Sequence, residues 1–327
     1  MPIGTINNLT LIEEQFFGGS WYGSSQVLNV FNAASAGAMV LSTSYHKGDV
    51  REETFFKEIA NLVTHRDNTS TDAATKLTLD DDKFVSVKHN GKIGPVAMAE
   101  DAFKKRAQNM DAFSFQLGQQ VGEAKTRYFV NLAITVVEAA LSSVAALQSD
   151  ATTTAVKTLD HSNLVTGMSK RGDAGQALAA WLLHSKPHYD LTKAAIADKV
   201  TNVADVVINQ GTTATLGRPS VVSDAPALMN DNGSAPTTFN VVGLVPGAVM
   251  IEQSEPESVA LVGPITGQEN LYWEFQAEFA VTVKVRGFAW DKANGGVNPN
   301  LATLGTAANW KAVLEPKRGP GVHITVE

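Results

Sequence analysis

Cysteine is absent from the chain. Disulfides, thiolate metal sites and cysteine nucleophiles are excluded together, and a reducing cytoplasm fits that composition. Long apolar runs are missing as well. None approaches the ~18 residues that cross a bilayer, and residues 1–31 lack a basic stretch followed by an apolar core, so neither secretion nor membrane insertion is expected. On that reading the N-x-S/T triplets beginning at Asn8, Asn68 and Asn232 are chance occurrences. Positive charge is in short supply: 26 Lys and Arg face 33 Asp and Glu, a net charge of −7. This argues against a surface built to neutralise phosphates, leaving room only for a local basic strip. Phosphate-loop, dinucleotide, zinc-protease and nucleophile-elbow motifs are all lacking, which removes the main support for nucleotide-binding, zinc-protease and hydrolase readings.

What is present is a chain of 327 residues, 44% hydrophobic, long enough for about two domains and a real core. Phe103, Ala107, Met110, Phe113, Leu117, Val121, Ala124, Tyr128 and Leu132 recur at spacings of three and four. That period predicts an amphipathic helix over residues 97–147, more deeply buried after Ala133, where the sequence turns almost wholly apolar. Unbroken, it would reach roughly 75 Å at ~1.5 Å per residue. Gly118 and Gly122 each weaken the middle by about 1 kcal/mol, so two helices or a kinked one are alternatives to a rod.

Residues 1–50 carry Phe16, Phe17, Trp21 and Tyr22 without a sustained period and read as an arm that lies on another surface. Residues 52–63 suggest a short helix. Residues 72–96 read as a projecting antiparallel hairpin, with Asp81 in the turn Asp80-Asp81-Asp82, a second turn at Asn90-Gly91, and Lys92 near the tip. Removing 80–92 is therefore expected to leave the subunit folded. After a Thr-rich break, a second domain is expected from about Asp160. Helices are predicted over 176–183 and 191–200, then strands at 206–208, 220–222, 239–245, 249–251 and 258–262. From Trp273 to Val285 apolar and mostly polar residues alternate, which predicts one long strand, and 322–326 reads as a last edge strand.

Candidate chemistry is sparse. His184 and His188 stand four apart with Pro187 between them and no third ligand in view. Asp80-Asp81-Asp82 lacks the alternating ligands of a calcium loop. Arg171-Gly172-Asp173 is a short adhesion tripeptide that recurs by chance. Lys104-Lys105-Arg106 reads either as an exposed helical face complemented by Glu100 and Asp101, or as a basic strip facing packaged nucleic acid. No cofactor or metal is expected.

The order of elements resembles the major capsid (coat) proteins of tailed bacteriophages, the Hong Kong 97 type of shell fold. Local likenesses lie in residues 56–71, in Ala180-Trp181-Leu182-Leu183-His184-Ser185-Lys186, in residues 218–226, in Arg286-Gly287-Phe288-Ala289-Trp290, and in Ala307-Ala308-Asn309-Trp310. The resemblance implies an α+β fold: an N-terminal arm (1–50), an extended loop (51–96), the spine helix of a peripheral domain (97–158), an axial domain (159–265), and peripheral strands with a C-terminal tail (266–327). It also implies a non-enzymatic subunit that forms pentamers and hexamers of itself, closing into an icosahedral shell around double-stranded DNA. Its place would be the virion capsid, with a cement or decoration protein, a scaffold and a portal as further partners. Phe16, Phe17, Trp21, Tyr22, Asp81, Asn90, Gly91 and Lys92 are the expected inter-subunit contacts. Lys to Asn cross-links occur in that family, and Lys92 is the nearest candidate. An encapsulin-like compartment and a cytoplasmic enzyme with an unrecognised site are the alternatives.

Overall fold

The computed structural model describes residues 35–44, 46–59, 62–66, 68–69, 71, 73, 76–99, 110–197, 215–230, 237–255, 260–265, 267, 269 and 272–327. Its centre is one continuous helix, α1 (Met110–Ser142), about 50 Å long at ~1.5 Å per residue. Gly118 and Gly122 lie inside it on the buried face, and the Thr126 hydroxyl donates to the Gly122 carbonyl at 2.9 Å without breaking the ladder. Early in α1, buried positions recur every three or four residues (Gly118, Gly122, Thr126, Phe129). From Leu132 to Leu141 nearly every side chain is enclosed, as the composition predicts.

The helix packs on two sheets at once, and a single apolar cluster runs through all three bodies. The first sheet has the order β1 (Met39–Thr43), β9 (Val249–Glu255), β11 (Tyr272–Val285), β3 (Asp81–Ala99), β2 (Val50–Phe56), with β10 (Ala260–Ile265) also on β11. β9 and β10 lie end to end along β11, at 280–285 and 272–277, while β3 runs antiparallel to β11 from Tyr272↔Ala99 to Val283↔Val87. At Val87 the partner of β3 changes. From there to Asp81 it pairs with β2, and its pairing with β11 goes no further. The β2–β3 pair is thus a ribbon that leaves the sheet.

The second sheet is smaller, with the order β4 (Gln148–Asp150), β14 (Gly321–Val326), β8 (Thr238–Leu244), β5 (Ala180–Leu183), β6 (Ser220–Val222), and with β7 (Met229–Asn230) on β8. Its middle is closed by glycine. A Cβ on Gly321 would come within 1.9 Å of the Gly243 carbonyl oxygen, and one on Gly243 within 2.6 Å of the Trp181 ring, so the three strands approach more closely than a side chain permits. Helices α2 (His161–Ser169) and α3 (Ser185–Ala197) and two short helices near the chain end, α4 (Lys292–Gly295) and α5 (Leu301–Leu304), complete the chain with β12 (Phe288–Trp290) and β13 (Trp310–Ala312).

Several expectations are corrected. Residues 50–56 form a strand, not a helix, and β3 is one strand from 81 to 99 with no turn at Asn90-Gly91. Gly91 sits opposite Phe279, whose ring lies 2.2 Å from where a Cβ would stand, so this glycine makes room for an aromatic instead of turning the chain. Asp81 opens β3 opposite Phe56, and Lys92 faces Glu278 in mid-strand, so neither Asn90, Gly91 nor Lys92 stands at a tip. Deleting 80–92 would remove Val87 and His89, both buried, and with them the strand that joins the ribbon to the core. Residues 97–99 belong to β3 and not to the helix, whose described part is Met110–Ser142. Residues 172–177 are a 3₁₀ turn and Ala180–Leu183 a buried strand, since a short apolar run carries no period that separates strand from helix. β14 is central, not an edge, flanked by β4 and β8. Both sheets cross the boundary drawn at 265: β9 and β10 join β11 and β3, while β14 joins β8. The predicted strand at 206–208, the aromatics Phe16, Phe17, Trp21 and Tyr22, and Lys104, Lys105 and Arg106 lie outside the described residues.

Candidate assembly interface

The ribbon is the feature that reaches outward. Its stem is stiffened by a stacked Phe55–Phe84 pair, ring centroids 4.3 Å apart. At its far end the Lys57 ammonium sits 3.1 Å from Asp80 and 3.4 Å from Asp82, which raises the Lys57 pKa and gives the acidic run a structural partner in place of a metal. Beyond the stem, apolar side chains face solvent: Phe56 is 71% exposed, Val63 92% and Leu79 61%, with Leu62 and Leu77 also open. An isolated exposed leucine is ordinary; five large apolar side chains on one projecting segment mark a contact surface.

Charge ties the ribbon back to the chain end. Glu52 accepts from Lys292 and, at 3.2 Å, from Lys83, and those two cations hold its carboxyl below the usual range. Glu58 pairs with Arg318 at 2.7 Å. These groups are largely solvated, so each pair contributes little alone, and together they fix the direction of the ribbon. An open cleft of about 210 Å³ lies at its root, walled by Glu53, Ser86, Lys284 and Arg286 and floored by Phe84 and Phe288.

Where β3 crosses α1, His89 is enclosed. Its Nδ1 meets the Pro299 carbonyl at 2.9 Å and its Nε2 meets the Tyr128 hydroxyl at 2.6 Å. The carbonyl can only accept, so Nδ1 donates, and Nε2 shares its hydrogen bond with the tyrosine hydroxyl. Beside it, Phe279 meets Phe129 and Tyr128 edge-on, with the Lys125 ammonium 5.6 Å from the Phe279 centroid. The Asn90 amide donates to the Asn298 side-chain carbonyl at 3.2 Å. Asn90 and Gly91 therefore serve the interior and the chain's own tail.

One cluster superficially resembles catalysis. Ser185 Oγ lies 3.4 Å from His184 Nδ1, and His184 Nε2 lies 3.5 Å from Asp224 Oδ1. Yet the Ser185 amide, at the start of α3, donates to Asp224 at 3.2 Å, so this carboxylate fills the helix N-terminus where a reacting oxyanion would need to sit. Hydrogen bonds from Ser185 lower the Asp224 pKa. It acts as a helix cap. Among the described residues no three His, Asp or Glu gather in a way that could hold a metal, and no helix is long and apolar enough to cross a membrane.

Comparison with known proteins decides the family. The sequence profile described as Gp13-like, major capsid protein 13-like, matches residues 8–323. The chain belongs to this family of major capsid proteins. No curated protein sequence matches it. The major capsid protein also shares its fold with solved shells: the capsid of Ralstonia phage GP4 (TM-score 0.54, 9% identity, 88% of this chain and 87% of that one). Microbacterium phage Oxtober96 (TM-score 0.51, 12% identity, 89% and 90%) is similar. So is the cyanophage Pam1 capsid (TM-score 0.50, 13% identity, 86% and 85%). The resemblance to tailed-phage coat proteins of the Hong Kong 97 type is thereby established, as a mixed α+β fold and a self-assembling structural subunit of the virion capsid. The enzyme and encapsulin-like readings give way to it.

Proposed function

We propose that copies of this chain assemble in the host cytoplasm as pentamers and hexamers into an icosahedral shell around double-stranded DNA. The observation that carries this reading is the β2–β3 ribbon, which leaves its own sheet at Val87 and ends in exposed Phe56, Leu62, Val63, Leu77 and Leu79. In this reading the ribbon is the extended loop and docks on an adjacent copy. α1 is the spine of a peripheral domain built with the first sheet, and the second sheet with α2 and α3 is the axial domain. Phe16, Phe17, Trp21 and Tyr22, in the arm expected over residues 1–50, would meet a neighbour. Lys104, Lys105 and Arg106 would face the packaged DNA, and a scaffold, portal or cement protein would act on the assembled surface.

The test is to replace residues 60–78 with a short Gly-Ser linker and compare subunit and particle by circular dichroism and negative-stain microscopy. A folded subunit that no longer closes into shells is expected. Normal shells from that variant would refute the ribbon's role.

A further inference from the structure

Arg171 belongs to the Arg-Gly-Asp tripeptide singled out in the sequence, but it is not displayed. It is 3% exposed, and among the described residues its guanidinium has one partner, the Lys317 carbonyl, which accepts from Nη2. Nε and Nη1 are buried and meet no hydrogen-bond partner among those residues. A buried charge is ordinarily paired with an opposite one, because the desolvation it suffers is otherwise uncompensated. Here the nearby carboxylate is already engaged: Asp173 binds Lys317 at 3.0 Å. The neighbouring charge is of the wrong sign. Burial first, and then the positive charge of exposed Arg286, push the Arg171 pKa down. Among the described residues the Arg286 side chain bonds to the Pro246 carbonyl, at 3.2 Å, and to nothing else. The one acceptor for Arg171 comes from the turn at 315–319, whose Lys317 side chain is 58% exposed and held by an Asp173 side chain that is 82% exposed.

We infer that Arg171 and Arg286 form a site for a carboxylate of an adjacent copy of this chain, which enters beside Arg286 as the Lys317 side chain swings aside. The inference rests on the shell reading above. A second copy is favoured over a nucleic-acid phosphate because carboxylates are in surplus on this chain, 33 against 26 basic side chains, and a shell holds them at high local concentration. Only in the assembled state does the guanidinium gain its counter-charge.

Arg171→Met and Arg286→Gln in the full chain test this, with melting temperatures read on both unassembled subunits and assembled particles. Arg171→Met is expected to leave the free subunit as stable as the parent or more so, while particles melt at least about 3 °C lower. Arg286→Gln, exposed and safe for folding, is expected to weaken particles in the same direction by less. A cryo-microscopy map of parent particles should show a neighbour's carboxylate within about 4 Å of Arg171. Equal destabilisation of subunit and particle by Arg171→Met would mean a role within one chain only, and would overturn the proposal. So would a map in which Arg171 meets nothing but its own chain and water. A parent chain that forms no particles would instead overturn the shell reading, and this shows before any variant is made.

Discussion

The two sheets solve opposite problems. In the second, no strand exceeds seven residues, β8 and β14 are buried almost throughout, and glycines let the backbones close up on Trp181. In the first, β3 runs 19 residues and β11 runs 14, and β3 continues past the point where the sheet and the core stop. The second sheet is buried within its own subunit, whereas the first carries β2 and β3 outward to exposed Phe56 and Leu79, which an adjacent copy covers on the reading proposed above. Self-sufficiency and reach are thus separated in one chain, and α1 holds the two together through Glu138, which accepts from the Asn240 amide at 3.1 Å, and Phe129, which meets Phe279.

Substitutions can break this contrast in graded steps. Gly321→Ala should be most severe, since its Cβ would press within 1.9 Å of a backbone oxygen that cannot move alone. A loss of at least about 4 kcal/mol, or no folded subunit, is expected by chemical denaturation. Trp181→Ala, at a fully buried side chain, should cost about 3–5 kcal/mol. Gly91→Ala would press its Cβ within 2.2 Å of the Phe279 ring, a side chain and not backbone, and should cost about 1–3 kcal/mol. The double variant with Phe279→Leu should recover part of that, because the two residues share one space. Phe56→Ser on the ribbon should change subunit stability by less than about 0.5 kcal/mol yet reduce the yield of particles, measured by sedimentation.

Acid sharpens the same comparison. His46 lies over the first sheet, with Thr282 Oγ1 at 3.3 Å from its Nδ1, and burial, followed by the charges of Lys88, Arg51 and Lys284, lowers its pKa. A histidine whose folded pKa lies below its free value is neutral in the fold, so the unfolded chain binds the proton first. Stability should therefore fall as pH drops from about 6.5 through the folded pKa, and His46→Gln should flatten that slope in pH-resolved melting. Asp224 and Asp291 have lowered pKa values from Ser185 and Lys311 respectively. Their contribution is present above about pH 4 and is lost only as pH falls below it, a separate and more acidic window.

The sequence revealed elements whose period was long enough to be unambiguous. β11 was legible because Trp273, Phe275, Ala277, Phe279, Val281, Val283 and Val285 alternate without interruption, and α1 because its apolar stripe persists over many turns. The misread segments share another trait: their residues answer to partners far along the chain. Asn90 and Gly91 imitate a turn, but they are set by Asn298 and Phe279. Ala180–Leu183 is too short to show a period, and β14 could be recognised as central only once β4 and β8 are seen on its two sides. The hairpin expected within 72–96 was misplaced, because β3 pairs instead with residues 50–56, where Glu52, Glu53, Phe55 and Phe56 suit an amphipathic helix until Phe84 stacks on Phe55. Arg171 as an unpaired buried charge had no local signal.

Microscopy of particles formed by the full chain alone, at a resolution that traces the loop between β2 and β3, tests the central claim most directly. The account predicts closed shells in which Phe56 and Leu79 are covered by an adjacent copy. Soluble monomers under every assembly condition, or shells in which that loop folds back onto its own subunit, would contradict it.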